Sequence, residues 1–290
     1  MKTLYTQHTK LSHTHITKQL QLFYQEDQAH KDLSTIFTTK KTNPNVTAQL
    51  IVEEDLVIAG LPIADVMFGQ HNVLKNTTEG SFCKAGDVVC SISAPANLLL
   101  SYERILLNLL QRMSGIASLT HKYVTTLDSS TIKILDTRKT TPGLRLFEKY
   151  AVCMGGGHNH RFDLYDGVMI KDNHLVIIGN LNNALYQLKE SHPNKKIQIE
   201  VDTFNQLKTI LQSLSHPVDA ILLDNMNNTE TKQCAQLIRQ TLPQCFIESS
   251  GGITLNNITQ YKDTDIDGLS IGALTHQATS KNITFELQNL

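Results

Sequence analysis

Six short apolar runs, nearly all ending directly in polar or charged residues, divide the second half of the chain and constrain its fold more than any other feature. They lie at 132–135, 167–170, 197–201, 220–223, 245–248 and 268–271. Between them fall stretches of helical periodicity at 142–152, 181–188, 204–214 and 230–242. Buried strands alternating with amphipathic helices build a parallel sheet. Such a sheet stays open or closes. Polar residues after nearly every strand, rather than at one switch point, favour an α/β barrel. Six strands fall short of eight, so the expectation is a partial barrel of six or seven strands.

The first half has a different texture. Ile16, Leu20, Phe23 and Tyr24 predict an amphipathic helix within a polar start, and 26–41 reads as loop. Apolar runs at 50–52, 56–59 and 88–92 are separated by turns at Gly60, Gly69, Gly80 and Gly86. No long helical pattern lies between them, so a small antiparallel sheet is expected. A long helix over 95–120 comes next, with Leu98, Leu99, Ile105, Leu106, Leu109, Leu110, Met113 and Ile116 as its apolar stripe. Glu103, Arg104, Asn108 and Arg112 mark its polar edge. The end, 282–290, alternates and predicts a strand returning to the first sheet. The division expected is a first domain over 1–115, joined by 277–290, and a barrel over 116–276.

Charge is local in this chain. Formal net charge is −1 and only 18% of residues are charged, against about a quarter in ordinary domains. No global basic excess supports nucleic-acid or membrane binding. Cys83, Cys90, Cys153, Cys234 and Cys245 are an odd number with no C-x-x-C pair. That opposes a disulfide framework or thiolate zinc site and suits a reducing compartment. The start has no apolar core of signal-peptide length, and no apolar run approaches about 18 residues. A cytoplasmic enzyme without membrane or nucleic-acid partners is the expectation.

The residues at the strand ends carry the chemistry. After the first strand come Asp136, Thr137, Arg138, Lys139 and Thr140, and after the second Lys171, Asp172, Asn173 and His174. The third carries Glu200 and Asp202, and the fourth ends in Asp224, Asn225 and Met226. The fifth runs into Glu248, Ser249, Ser250, Gly251 and Gly252, and the sixth into Ser270, Ile271 and Gly272. In a barrel all of these converge on one face. Arg138, Lys139, Arg161 and Lys171, beside Gly155, Gly156 and Gly157, form a local concentration of cations fit for a ligand with several negative charges. Ser250, Gly251 and Gly252, ahead of an expected helix start at Ile253, offer backbone N–H groups to phosphate, as do Ser270 and Gly272; ordinary glycine turns are the alternative. Glu200 and Asp224 either share a divalent ion or pair with neighbouring cations. His158 and His160 lack a third ligand for zinc, and His160 reads better as a hydrogen-bonding or substrate-orienting group. The triple glycine lacks the spacing of a dinucleotide loop.

These stretches, DTRKTTPGLR, GGGHNHR, MIKDNH, IEVD, LLDN, SSGGI and LSIGALTH, preceded by ERILLNLLQRMSGIAS, resemble the quinolinate phosphoribosyltransferase family over roughly Glu103 to His276. The resemblance implies an N-terminal open-faced α/β sandwich plus a partial α/β barrel. It implies transfer of phosphoribosyl from 5-phosphoribosyl-1-pyrophosphate to quinolinate with Mg²⁺, giving nicotinate mononucleotide, pyrophosphate and carbon dioxide on the route to NAD. It implies that Arg138, His160, Arg161 and Lys171 line the quinolinate pocket, with Lys139 at its edge toward the sugar diphosphate. Glu200 and Asp224 would face the ribose and the Mg²⁺–pyrophosphate, directly or indirectly. Lys139, Lys171, Glu200 and Asp224 would serve the chemistry. Ser250, Gly251, Gly252, Ser270 and Gly272 would cradle phosphate. Arg104 would reach into the neighbouring subunit of a homodimer, which could assemble further.

Three positions depart from the family's pattern: Lys31 before Asp32 in place of glycine, Cys153 in place of a basic residue, and Asp202 where glutamate is common. The related family associated with molybdenum transport genes, nicotinate phosphoribosyltransferase, and a silent phosphate-binding protein are the rivals. The intact RKT, NHR and KDN motifs, the surplus of cations and the retained Glu200 and Asp224 favour quinolinate.

Overall fold

The computed structural model describes residues 3–288. In chain order it forms α1 (His13–Glu26), α2 (Leu33–Thr39), β1 (Asn45–Val52), β2 (Leu56–Val57), α3 (Leu61–Phe68), β3 (Asn72–Lys75), β4 (Phe82–Cys83), β5 (Val88–Pro95) and α4 (Ala96–Leu127). Next are β6 (Lys133–Leu135), α5 (Arg145–Met154), β7 (Gly167–Ile170), α6 (Asp172–Ile178), α7 (Leu181–Ser191), β8 (Lys196–Val201), α8 (Phe204–Ser213) and β9 (Ala220–Asp224). The chain ends with α9 (Asn228–Thr241), β10 (Phe246–Ser250), β11 (Gly268–Ser270), α10 (Ala273–His276) and β12 (Ile283–Leu287).

The chain divides into two compact units. One comprises the chain through Gln7, Lys122–Lys139 and Gly157–Ala273; the other comprises His8–His121, Thr140–Gly156 and the chain from Leu274.

The first unit holds a parallel sheet of six strands in the order β6-β11-β10-β9-β8-β7. Chain neighbours β6 and β7 stand at opposite edges, so the barrel is open between them. The GGGHNHR segment bridges both edges: His158 makes a parallel bridge to Leu135, and the Arg161 guanidinium donates to Gly167 O at 2.9 Å. This is a physical reason for a partial rather than closed barrel. The N-terminal segment belongs here too. Leu4 packs on Leu135, Ala220 and Phe246, and the Tyr5 ring lies where a Cβ on Gly167 would come within 2.6 Å of it.

The second unit is built on an antiparallel sheet, β12-β1-β5-β3. The expected return of the C-terminus is realised, with Ala48 opposite Leu287 and Val52 opposite Ile283. The expected strand over 282–290 extends beyond the described residues.

Several local expectations are corrected. The region 26–41 is not loop: α2 starts at Asp32, whose carboxylate accepts Thr35 N–H at 3.1 Å. This helix is too short for periodicity to mark, although aspartate is a favourable cap. Helix α3 interrupts the stretch expected to hold only strands and turns. Leu61, Ile63, Ala64 and Phe68 are all buried and Asp65 is the one polar residue, so no amphipathic pattern announces it. Gly60 starts α3 at φ 114°, and the Glu79 carboxylate accepts the N–H groups of Gly60 and Leu61 at 2.9 and 2.6 Å. Helix α5 begins three residues later than expected because Thr141–Leu144 is a turn, with Gly143 at φ 82°. Helix α6, not among the expected helices, starts directly after Lys171, where His174 Nδ1 accepts Lys171 N–H at 3.0 Å. No α-helix starts at Ile253. Asn257 there closes a turn onto Thr254 N–H and Gly252 O.

Candidate active site

Strand register brings the site residues together at the carboxyl end of the parallel sheet. Asp224 pairs with Ser250, Ser250 with Ser270, and Ser270 with Leu135, so four strands end in one row. Ile170 pairs with Ile199, so the next residues, Lys171 and Glu200, are neighbours. Their side chains form an ion pair of 2.5 Å. Val201 pairs with Leu223, which brings Asp202 beside Asp224. Carboxylate oxygens of Glu200, Asp202 and Asp224 all lie within 4.8 Å of one another. Asp202, without a role on sequence grounds, is therefore the third member of an acidic triad.

Arg161 is 7% exposed. Its guanidinium donates to Gly167 O and approaches Met169 Sδ at 3.6 Å. Burial, and then nearby Arg138, draw its pKa below the ordinary arginine value, while Glu200 and Asp166 oppose that. The two arginines, the Lys171–Glu200 pair and the triad thus form one electrostatic group, cationic on one side and anionic on the other. Lys139 is exposed, in a turn where its N–H is held by Thr137 Oγ1 at 3.0 Å.

The phosphate-loop candidates have the required backbone. Gly251 and Gly252 adopt φ 90° and 65°, the left-handed region. A Cβ at Gly251 would sit 2.1 Å from Asn225 Oδ1 and 2.9 Å from Asn225 N. Asn225, itself at φ 55°, donates its N–H to Ser250 O at 2.8 Å and its side-chain amide to Asp224 at 2.8 Å. The loop and the triad therefore share a residue. The Ser270 hydroxyl donates to the buried Glu248, and the residue is itself buried, so this side chain is engaged inside the protein.

Below this face lies a buried polar network that sequence reasoning missed. Glu248 is fully buried and accepts from Ser270 Oγ and from Gln198 Nε2 at 2.7 Å, with His160 Nε2 at 3.3 Å. Burial alone would raise its carboxyl; His160, Ser270 and Gln198 hold it below the ordinary glutamate value. Tyr5 donates to Gln198 Oε1 at 3.3 Å, and its hydroxyl pKa is raised by burial and by Glu248. Buried Asp136 accepts His160 N–H at 2.8 Å and Asn159 Nδ2 at 2.7 Å. The sequence held a signal: Gln198 and Glu248 interrupt otherwise apolar strand runs, and buried polar groups demand partners.

Arg104 lies in the other unit, on α4, with its side chain 63% exposed and 3.8 Å from Glu103. It lines a cleft of about 540 Å³ with Glu26, Asp27, Asn108, Arg112 and Thr141. In that unit Arg112 donates to buried Glu148 at 2.9 and 3.2 Å, and Glu148 also accepts Thr141 N–H and Oγ. Cys153 is half-buried on α5, and none of the five cysteines is in a disulfide. Lys31 closes a short 3₁₀ turn ahead of α2.

The triad fits a small divalent ion. Oxygens on one Mg²⁺, each about 2.1 Å from it, stand at most about 4.2 Å apart, so three carboxylates already within 4.8 Å need little movement.

Residues 116–286 match the C-terminal domain of quinolinate phosphoribosyl transferase, and residues 32–114 match its N-terminal domain. The chain is 37% identical to a probable nicotinate-nucleotide pyrophosphorylase [carboxylating] of Bacillus subtilis, over 96% of this chain and 95% of that protein. It is 38% identical to the nicotinate-nucleotide pyrophosphorylase [carboxylating] of Mycobacterium leprae, over 89% and 94%. The crystal structure of NadC from Streptococcus pyogenes superposes with a TM-score of 0.87 at 36% identity, covering 97% of this chain and 99% of that one. Sequence, fold and the order of motifs agree, and the chain belongs to the quinolinate phosphoribosyl transferase family.

Proposed function

We propose that the chain transfers phosphoribosyl from 5-phosphoribosyl-1-pyrophosphate to quinolinate and decarboxylates the product, giving nicotinate mononucleotide, pyrophosphate and carbon dioxide for NAD synthesis. The observation that carries this reading is the charge layout at one sheet end. Arg138, Arg161 and Lys171 adjoin Glu200, Asp202 and Asp224. A dianionic pyridine needs the cations. An oxocarbenium-like ribose needs carboxylates beside it.

In this reading Arg138, Arg161 and Lys171 orient the two quinolinate carboxylates, and Lys139 faces the sugar diphosphate. The pyridine nitrogen attacks the anomeric carbon as pyrophosphate leaves, while Glu200 and Asp224 stabilise positive charge on the ribose. The adjacent carboxylate then departs as carbon dioxide; the bonding pair stays on the ring carbon, stabilised by the positive nitrogen beside it, and a proton from solvent takes the place of the lost carboxylate. Ser250, Gly251, Gly252 and the backbone from Ser270 to Gly272 hold phosphate. Asp224, Glu200 and Asp202 are the residues that would hold Mg²⁺, which when bound neutralises charge on the pyrophosphate.

The working assembly is a homodimer in which Arg104 of one protomer completes the neighbour's site. The exposed guanidinium of Arg104 supports this. So do large apolar side chains left in the open, Leu33 and Phe37 on α2 and Val176 and Ile177 on α6, each more than four-fifths exposed. Mixing inactive Arg104→Ala and Lys139→Ala subunits tests it: hybrid dimers recover activity if sites are shared, and confirmed exchange without recovery contradicts it. The reading also places the protein in the cytoplasm, where its five thiols stay reduced. Among the described residues no helix is long and apolar enough to cross a membrane.

Calorimetric titration with quinolinate and with nicotinate tests the pocket. One charge-assisted contact is worth about 1.5–3 kcal/mol, so quinolinate should bind roughly 10- to 150-fold more tightly. Equal affinities contradict the dianion pocket.

A further inference from the structure

We propose that Glu248 is a positioning residue for the anion pocket, acting through the His160 ring to hold the main chain at Arg161. The inference rests on the proposed role of Arg161 in binding quinolinate.

The geometry forms a continuous chain. His160 Nδ1 accepts the N–H of Arg161 at 2.7 Å. A neutral imidazole accepting at Nδ1 carries its proton on Nε2. Nε2 faces two acceptors, Glu248 Oε2 at 3.3 Å and Gln198 Oε1 at 3.1 Å. Both ring nitrogens are thus engaged inside the protein, and the residue is 5% exposed. His160 accordingly links a buried carboxylate to a backbone amide, a role different from a direct ligand of the substrate. Glu248 in turn is held by Ser270 on the adjacent strand β11 and by Gln198 on β8, beyond β9 on the other side. A ring turned over would set carbon atoms against Glu248 and against the Arg161 amide.

The consequence falls on Arg161. Its main chain is tied through His160, and its guanidinium is tied to Gly167 O at 2.9 Å. Two anchor points fix the direction in which the remaining guanidinium N–H groups present themselves. Bidentate recognition of a carboxylate depends on that direction, and small misplacements lower affinity steeply. Loosening the histidine should therefore impair quinolinate binding more than binding of the sugar diphosphate. A generally softened barrel would impair both.

Glu248→Gln preserves shape but points an amide N–H₂ at groups that already donate. Steady-state kinetics should show KM for quinolinate raised about tenfold or more, with KM for 5-phosphoribosyl-1-pyrophosphate changed less than about twofold. Nitrogen NMR of histidine-labelled wild-type protein should show His160 protonated at Nε2 and bare at Nδ1, with the Nε2 proton moving in the variant. Equal rises in both KM values, or no rise in either, would overturn the proposal. Should the variant not fold, the wild-type spectrum decides: an Nδ1-protonated or freely exchanging His160 overturns it, and the Nε2 tautomer upholds it. Wild-type protein inert toward quinolinate would instead sink the parent reading and leave the spectrum to judge the link.

Discussion

The Lys171 ammonium lies 2.5 Å from the Glu200 carboxylate, joining the ends of two adjacent strands at the seam between the cationic and anionic halves of the site. Lys171 is 41% and Glu200 13% exposed, so an arriving anion can share the ammonium without breaking a buried pair. In the proposed reading Lys171 would serve both halves, one by attraction and the other by neutralising its neighbour.

Replacing Lys171 with alanine should raise KM for quinolinate by roughly 10- to 150-fold, the worth of one charge-assisted contact. Unfolding should change by no more than about 1 kcal/mol, as for exposed ion pairs. Kinetics beside denaturant melts separate the two. A large loss of stability with unchanged KM would make the lysine structural.

Gly251→Ala and Gly252→Ala should differ sharply. Both residues have positive φ, but only Gly251 has Asn225 within 3 Å of a built Cβ, backbone nitrogen included. Gly252→Ala carries the left-handed penalty of about 1–2 kcal/mol. Gly251→Ala adds displacement of Asn225, and with it Asp224, so it should lower turnover as well as stability. Equal effects would show that the loop yields freely.

Chelation should abolish turnover, and added Mg²⁺ should restore it. Asp224→Asn removes one charge from the triad and should raise the Mg²⁺ concentration needed for half-maximal activity by about tenfold. Isothermal titration of Mg²⁺ with pyrophosphate, which needs no turnover, should show the same shift. Full activity in chelator would remove the ion from the account.

Acid should destabilise the parallel-sheet unit through two depressed carboxyls. Asp219 accepts Lys189, Lys196 and Ile197 N–H, each at 2.9 Å; burial pushes its pKa up, but these bonds bring it below the ordinary 3.8. Glu248 is likewise held below 4.5 against its burial. A depressed folded pKa means stability that is complete above the unfolded value and lost as pH falls through the folded one. The loss should therefore begin below about pH 5 and deepen downward. Asp219→Asn should flatten that acid limb in thermal melts.

The parallel strands were legible because each is apolar and bounded by polar residues; the long helix showed as a stripe from Leu98 to Ile116. The return of the C-terminal strand was legible as alternation. Helix α3 was not, because Asp65 is its single polar residue, too little for an amphipathic pattern, and α2 and α6 are only seven residues long. The candidate cations and carboxylates were legible as strand-end residues. The Glu248–His160 link was not, since nothing in chain order ties residues so far apart. Register sets Glu248 level with Leu222 and Gln198 level with Ala220 on the strand between them, and His160 reaches both side chains from outside the sheet.

The most direct measurement tracks carboxyl-labelled quinolinate with 5-phosphoribosyl-1-pyrophosphate and Mg²⁺. The prediction is one labelled carbon dioxide and one pyrophosphate for each nicotinate mononucleotide formed, with no product when nicotinate replaces quinolinate. Folded protein that forms no mononucleotide from quinolinate, or that uses nicotinate as readily, would contradict the account.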